Sequence, residues 1–515
     1  MRKQLQQQVR AKLEIIGSEN NAVPFNAIDN PVLDILKQKN LKPAAICSDS
    51  VFIRRAYLDL IGTIPSYQEV KQFINDPSAT KRAQLVDTLL ERQEFYEYWS
   101  LKWGDILRIK AEFPINLWPN GAMVYQRWIR ESIKNNKPFD VFTRELLLGS
   151  GSNFRNPPSN FYRAVAGKDP LTIAQTVSLT MFGVRYDKWD AATQKNLPEF
   201  FSRIGYKGTA EWKEEIVYWI DKPLENPELV FPDGQKIRIN PNQDPRAVFT
   251  DWFVQEKNPW FMKNAVNRYW FWLFGTGIVH EPDDFRADNP PSIPALLDVL
   301  SQEFVKSKYD VKQFLRLVMS SRTYQQSSIA NSPYSEAGKL FACYPARQLD
   351  AEVLEDIFCQ VFYAGRNYAS DVPEPFTFVP AYLRTFTLAD GSITSPFLET
   401  FGRPPRDTGY LVERNPNATP SQKMFLINSS EMVEWVDRYW RIRQEAQAAI
   451  GEVPANERTR KFIEYLWLYL LAREPAEIEF LNVEKLLKVP GRNEQLVFQD
   501  VIWTLVNSKE FLCRH

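Results

Sequence analysis

The chain has 515 residues, 44% of them hydrophobic and 24% charged, with Lys+Arg 63 balancing Asp+Glu 63. At this length two or three packed subdomains are expected, and a net charge of zero supplies no global field toward nucleic acid or an anionic membrane. The two histidines, His280 and His515, and four cysteines without a C-x-x-C pair exclude imidazole-based triads, the usual zinc sets and c-type haem attachment.

Met1-Arg2-Lys3 has the form of a signal-peptide start, but the polar run Gln4 to Arg10 cannot serve as an apolar h-region. Either the protein is cytoplasmic or a leader has been removed. No apolar run approaches the roughly 18 residues that span a bilayer. Residues 1–24 read as an N-terminal arm and 25–228 as a first helical block. Within that block, 81–110 carries Leu85, Val86, Leu89, Leu90, Phe95, Trp99, Trp103 and Leu107 at helical spacing. Residues 229–245 read as a hairpin around Asp233-Gly234 followed by a linker-like run, where the main boundary is placed.

The second helical block, 246–515, opens with Asn258-Pro259, an Asn N-cap before Pro at the first helical position. The helix Trp260–Phe274 is aromatic on more than one face and so is expected to be buried. Asp310 with Gln313 has the form of a capping box. Residues 363–422, rich in Pro, Gly, Ser and Thr, form a long coil of the kind that survives in a compact protein only when its backbone finds partners. Phe376, Phe378, Tyr382, Phe397 and Phe401 are its expected apolar anchors. The predicted fold class is mainly α and multi-helical: two packed helical subdomains, a small β-hairpin and long ordered coil segments.

Two internal echoes suggest a duplicated helical module whose copies pack together. The C-terminal module echoes residues 54–95: Pro65, Glu69, Gln84-Leu85-Val86 and Glu94-Phe95 recur as Pro475, Glu479, Gln495-Leu496-Val497 and Glu510-Phe511. Glu131 to Leu147 likewise echoes Glu303 to Val318. Aromatics at 14% suit large helix interfaces or a carbohydrate-stacking platform.

The block Phe52-Ile53-Arg54-Arg55-Ala56-Tyr57-Leu58-Asp59-Leu60-Ile61-Gly62 resembles the first block of a planctomycete-type secreted, cytochrome-associated protein family of two uncharacterised domain blocks. Matches to the second block follow in order. They are Asn258-Pro259-Trp260-Phe261, Val266-Asn267-Arg268, Asp283-Asp284-Phe285-Arg286, Asn289-Pro290-Pro291, Ser321-Arg322-Thr323-Tyr324, Arg347 to Glu352, and Phe401 to Asp407. The resemblance implies a mostly helical protein, exported by a leader to the periplasm or outside the cell and often encoded beside sulfatase-like and polysaccharide-degrading proteins. It brings no established reaction. Many relatives carry a Cys-x-x-Cys-His segment after a Gly-Val-Arg-like helix end. Here Gly183-Val184-Arg185-Tyr186 runs directly into Asp187-Lys188-Trp189. Haem and metal therefore do not carry over, and no cofactor is expected. The shell around that loop, Arg185, Trp189 and Phe200-Phe201, is retained.

Asp283 and Asp284 form the best acidic cluster. With Asp288 and Asn289 they could ligate a hard cation, or act as general acid and base; the plainer alternative is that they pair with Arg268 or Arg286 to fasten a loop. Arg403, Arg406 and Arg414, beside Asp407 and Glu413, read either as an anion site or as a buried ion-pair network. Arg54, Arg55 and Asp59 read as packing, or as one wall of a cleft. Gly391, Gly402 and Gly409 form no phosphate-cradling pattern. Cys343 and Cys359 are buried thiols, or a disulfide in an exported protein.

The favoured reading is an exported helical binding or scaffold protein serving polysaccharide breakdown, sulfated glycans included. Its partner would be a glycan or a sulfatase-like protein, and its ligand-binding residues Arg268, Arg286, Arg403, Arg406 and Arg414. The alternatives are a glycan-acting enzyme using Asp283 and Asp284, and a cytoplasmic helical interaction protein.

Overall fold

The computed structural model describes residues 2–14, 23–415 and 417–515. Met1 and residues 15–22 of the expected arm, and Pro416 of the expected coil, lie outside the described residues. Helix dominates, and strand is confined to three small sheets.

Helix α1 (Arg2–Leu13) lies in the expected arm and none of its described side chains is buried, while α2 (Asp49–Leu60), α3 (Tyr67–Asn75), α4 (Lys81–Glu91), α5 (Gln93–Ile106) and α6 (Trp118–Lys134) contribute to the interior of the first block. The run 81–110 holds two helices, α4 and α5. Arg92 between them is extended, at φ −72° and ψ 152°. Its guanidinium is held by Glu69 and Glu94, at 2.9 and 2.8 Å. Periodicity alone does not register such a clamp.

The hairpin forms as expected from β4 (Glu228–Val230) and β5 (Lys236–Arg238), turning through Gly234 at φ 85°. A sheet not foreseen joins β1 (Gly151–Ser152), β3 (Glu215–Trp219) and β2 (Ile204–Gly208), in that spatial order.

Helix α7 (Pro259–Phe274) begins as its cap predicts: the Asn258 side-chain oxygen accepts from the backbone of Trp260 and Phe261. Most of its side chains are buried. Tyr269 and Trp272 interlock with Trp99 and Trp103 of α5, at centroid separations of 5.5 to 6.3 Å. Edge and offset contacts of this kind add to area burial, so a large share of the aromatic excess joins the two halves of the chain. Asp310 caps its own helix by accepting from Gln313 N at 2.8 Å.

The terminal echo has a structural counterpart in α9 (Arg458–Leu471), α10 (Glu477–Leu487) and α11 (Glu494–Val506). Phe52 to Val70 and Phe462 to Phe480 run in step. Each copy ends its first helix with a left-handed residue, Gly62 at φ 61° and Ala472 at φ 57°. Each then starts the next helix with a glutamate reaching back to the cap backbone: Ser66 N donates to Glu69 at 2.8 Å, and Ala476 N to Glu479 at 2.7 Å. In each, one arginine clasps that glutamate together with a later one, Arg92 on Glu69 and Glu94, and Arg473 on Glu479 and Glu510. The copies touch: Tyr67 lies 4.9 Å from Tyr465, and Arg54 donates to Leu470 O and Phe511 O. The other echo also meets itself, Phe139 N donating to Tyr309 O at 3.1 Å.

The 363–422 coil is fastened by α8 (Ala351–Phe362). Asp356 accepts from the backbone of Thr385 and Phe386, and Glu355 from the hydroxyls of Thr385 and Ser395. Gly391 N donates to Ile109 O at 2.8 Å. Phe397 and Phe401 are buried anchors. Phe376, Phe378 and Tyr382 are not: they are 47%, 71% and 83% exposed. Their stretch makes local surface turns, Phe376 N to Pro373 O and Leu383 N to Pro380 O, which leave Phe378 and Tyr382 largely exposed and Phe376 half-covered.

Candidate functional site

Asp283 and Arg268 are both almost fully buried and lie 3.2 Å apart. Arg268 also donates to the carbonyls of Leu179 and Thr180, while the other oxygen of Asp283 accepts from Leu411 N at 2.7 Å. Burial raises the Asp283 carboxyl and lowers the Arg268 guanidinium; their ion pair offsets part of each cost. Asp284 pairs with Arg286 at 2.8 Å, and Arg286 reaches Asp288 at 3.2 Å. These pairs fasten a loop. Among the described residues, no group of three or more His, Cys, Asp or Glu is placed to hold a metal. Cys343 and Cys359 are free thiols that burial pushes up to about 11 and about 12.

Arg403, Arg406 and Arg414 do come together, in the interior around Asp105 of α5 and Glu352 of α8. Asp105 accepts from Arg406 Nε at 2.8 Å and from Arg414 Nη2 at 2.7 Å. Arg414 Nη1 reaches Glu352 at 2.6 Å, and Arg403 Nε lies 3.5 Å from Glu352. Burial penalises charge on Asp105, yet Arg414 and Arg406 hold its carboxyl below the usual range. The wiring continues through Asp350, which meets Arg514 at 2.9 Å and Lys102 at 3.6 Å. Burial lowers Lys102 to about 8. Asp59 then takes Arg347 at 3.0 Å and the hydroxyls of Tyr324 and Tyr344 at 2.9 Å. Arg55 stacks 3.7 Å from the Tyr344 ring centroid. These charges join the two halves of the chain.

The accessible concavity lies elsewhere on the same coil. Helix α6 and residues 376–393 enclose a groove of about 230 Å³, with Gln126, Arg127 and Arg130 on the helix side and Phe376, Phe378 and Asp390 on the coil side. At Arg130, Leu383 and Thr387 it passes into a more open section of about 480 Å³ bordered by Glu94, Glu97, Tyr382 and Arg384.

Its rim is aromatic. Trp212, 59% exposed, sits on the turn joining β2 to β3 and meets Trp118 at 4.6 Å and Phe376 at 5.5 Å. Four buried polar atoms of the lining have no hydrogen-bond partner: Arg130 Nε, Thr377 Oγ1, Arg384 Nη1 and Asp390 Oδ2. Asp390 is fixed by its other oxygen, which accepts from Ala111 N and Ser392 N at 2.8 Å. Buried polar groups are normally satisfied, so an accumulation along one groove marks a place where something polar binds. A larger opening of about 900 Å³ near Arg443 and Glu494 lacks such atoms among the described residues, and those two charges pair with each other at 3.4 Å.

Composition pointed to the coil that carries Arg384 and Asp390, but Arg127 and Arg130 on the facing helix, and Trp118 and Trp212 beside Phe376, carried no sequence signal. They belong to three separated segments that only the fold brings together.

Residues 27–194 match the family described as PSCyt2, protein of unknown function (DUF1549), and residues 245–487 match PSD1, protein of unknown function (DUF1553). No curated protein and no solved structure matches the chain. Helix α6 falls in the first matched segment, the groove's coil wall in the second and Trp212 between them. The chain belongs to the family that carries these two uncharacterised blocks in one polypeptide.

Proposed function

We propose that this protein is an exported glycan-binding protein that holds a saccharide chain in the groove between α6 and the 376–393 coil, serving polysaccharide breakdown without a redox cofactor of its own. Export and the link to polysaccharide breakdown rest on the sequence resemblance, which also offers a sulfatase-like protein as the enzyme acting on the held chain.

The observation that carries the reading is the pairing of exposed rings with unpartnered polar atoms in one groove. Trp212, Phe376, Phe378 and Tyr382 present flat apolar faces, which suit the C–H faces of sugar rings. Arg130 Nε and Arg384 Nη1 donate, Asp390 Oδ2 accepts and Thr377 Oγ1 does either. A ligand rich in hydroxyls meets all three kinds at once. Leaving such an atom buried and unpaired costs about 1–3 kcal/mol, so satisfying several supplies a large part of a micromolar affinity, about 8 kcal/mol. Binding is favoured over turnover because Asp283 and Asp284, the carboxylates nominated for glycosidic chemistry, are each committed to an arginine.

A glycan array, with release of new reducing ends measured on every hit, tests this. Retention of at least one glycan class without cleavage is expected. Cleavage of the retained glycans would overturn the binding reading in favour of an enzyme, and an array without hits would remove the glycan.

A further inference from the structure

Resting on the glycan reading, we infer that the groove selects chains bearing an anionic substituent, a sulfate ester or a uronate carboxylate, and that Arg127 and Arg130 of α6 recognise it.

Three residues apart on one helix, these side chains share a face, and both line the groove. Arg127 is exposed and has no hydrogen bond or ion pair among the described residues. Arg130 has only its neighbour Glu131, with Nη2 at 3.5 Å, while its Nε is buried without a partner. The contrast with the interior arginines is direct. Arg406 and Arg414 each meet a carboxylate within 2.8 Å, and Arg473 meets two.

Among the described residues none of the groove's acidic groups makes an ion pair with Arg127, and Arg130 has only Glu131. Glu94 is held by Arg92 at 2.8 Å, with Arg384 a further 3.8 Å contact. Glu97 accepts from Gln93 at 2.7 Å. Asp390 faces the buried Arg403, whose Nη2 donates to its backbone carbonyl. Two guanidinium forks set in one groove, Arg127 with no ion pair among the described residues and Arg130 with only Glu131 at 3.5 Å, match the planar oxygens of a carboxylate or the oxygen trio of a sulfate, whereas a neutral sugar offers them hydroxyls without a compensating charge.

The test is calorimetric titration of the full chain at fixed salt with two matched pairs: a sulfated galactan and its desulfated form, and a polyuronate and its carboxyl-reduced form. The intact protein is expected to bind the charged member of at least one pair tighter by about tenfold or more, the size of a charge-assisted hydrogen bond; which pair responds identifies sulfate or carboxylate. Arg127→Gln, at an exposed position, is expected to shrink that ratio while neutral-glycan affinity and melting temperature hold; Arg127→Gln/Arg130→Gln is expected to bring the ratio toward one with a smaller loss of neutral-glycan affinity, because Arg130 Nε is among the atoms a saccharide satisfies. The exposed Arg458→Gln, far from the groove, is expected to leave the ratio intact. Equal affinity for charged and neutral members overturns this inference and leaves glycan binding standing, as does a ratio that survives the double substitution. Binding of neither member of either pair overturns both readings.

Discussion

Replacing Asp105 by Asn should destabilise the protein far more than its one lost charge suggests. Among the described residues Asp105 is the only carboxylate within hydrogen-bond reach of Arg406, at 2.8 Å, and it shares Arg414 with Glu352. The Arg406 side chain is 1% exposed. After substitution its guanidinium would keep only neutral acceptors, the carbonyls of Ala389 and Ile109 and the amide oxygen of the introduced asparagine, and no counter-charge. Breaking a buried pair from one side costs about 3–5 kcal/mol because a desolvated charge is left behind. That is a fifth or more of a typical folding free energy of about 5–15 kcal/mol. The control is Arg144→Gln, whose partner Asp251 is 66% exposed; such surface pairs are worth about 0–1 kcal/mol. Urea unfolding followed by tryptophan fluorescence suits the comparison, because Trp99 and Trp103 lie on α5 with Asp105. The Asp105 carboxyl is held below its ordinary value, so its contribution is present above the unfolded value of 3.8 and is lost as pH falls through the folded one. An Asp105→Asn protein that unfolds like Arg144→Gln would refute the claim that this network joins the two halves.

Glu355 gives the opposite pH dependence. Burial raises its carboxyl from 4.5 to about 7, so its stabilising protonated form is fully present below pH 4.5 and is lost as pH rises through about 7, a change of about 3 kcal/mol. Denaturation midpoints measured from pH 5 to 8 should fall for the intact protein and stay flatter for Glu355→Gln. Because Glu355 fastens Thr385 and Ser395, glycan affinity should weaken over the same interval in the intact protein and less so in the variant.

Local signals were legible where one segment determines the outcome. The Asn258-Pro259 cap, the Asp233-Gly234 hairpin and the burial of α7 follow from neighbouring residues and side-chain periodicity. The terminal echo was visible because both copies keep Pro and Glu at matched spacing, and the structure adds the reason: that glutamate satisfies the cap backbone while an arginine ties it to a second glutamate two helices further on. Long-range chemistry was not legible. Nothing near Arg403 in sequence announces Asp105 or Glu352, and Trp118, Trp212 and Phe376 become one cluster only when three distant segments meet. The expected anchoring role failed for Phe378 and Tyr382, and Phe376 is only partly covered, by Trp118 and Trp212, since apolar character does not say whether another element arrives to cover a ring.

The most direct test of the central claim is where a glycan leaves its footprint. Backbone hydrogen exchange of the full chain, with and without a saturating glycan retained on the array, should show new protection at 118–130 and 376–393, with the 209–213 turn bearing Trp212 also slowed. Trp212→Ala should remove most of that protection. Protection confined to the opening near Arg443 and Glu494, or to the 283–289 loop, would contradict the account.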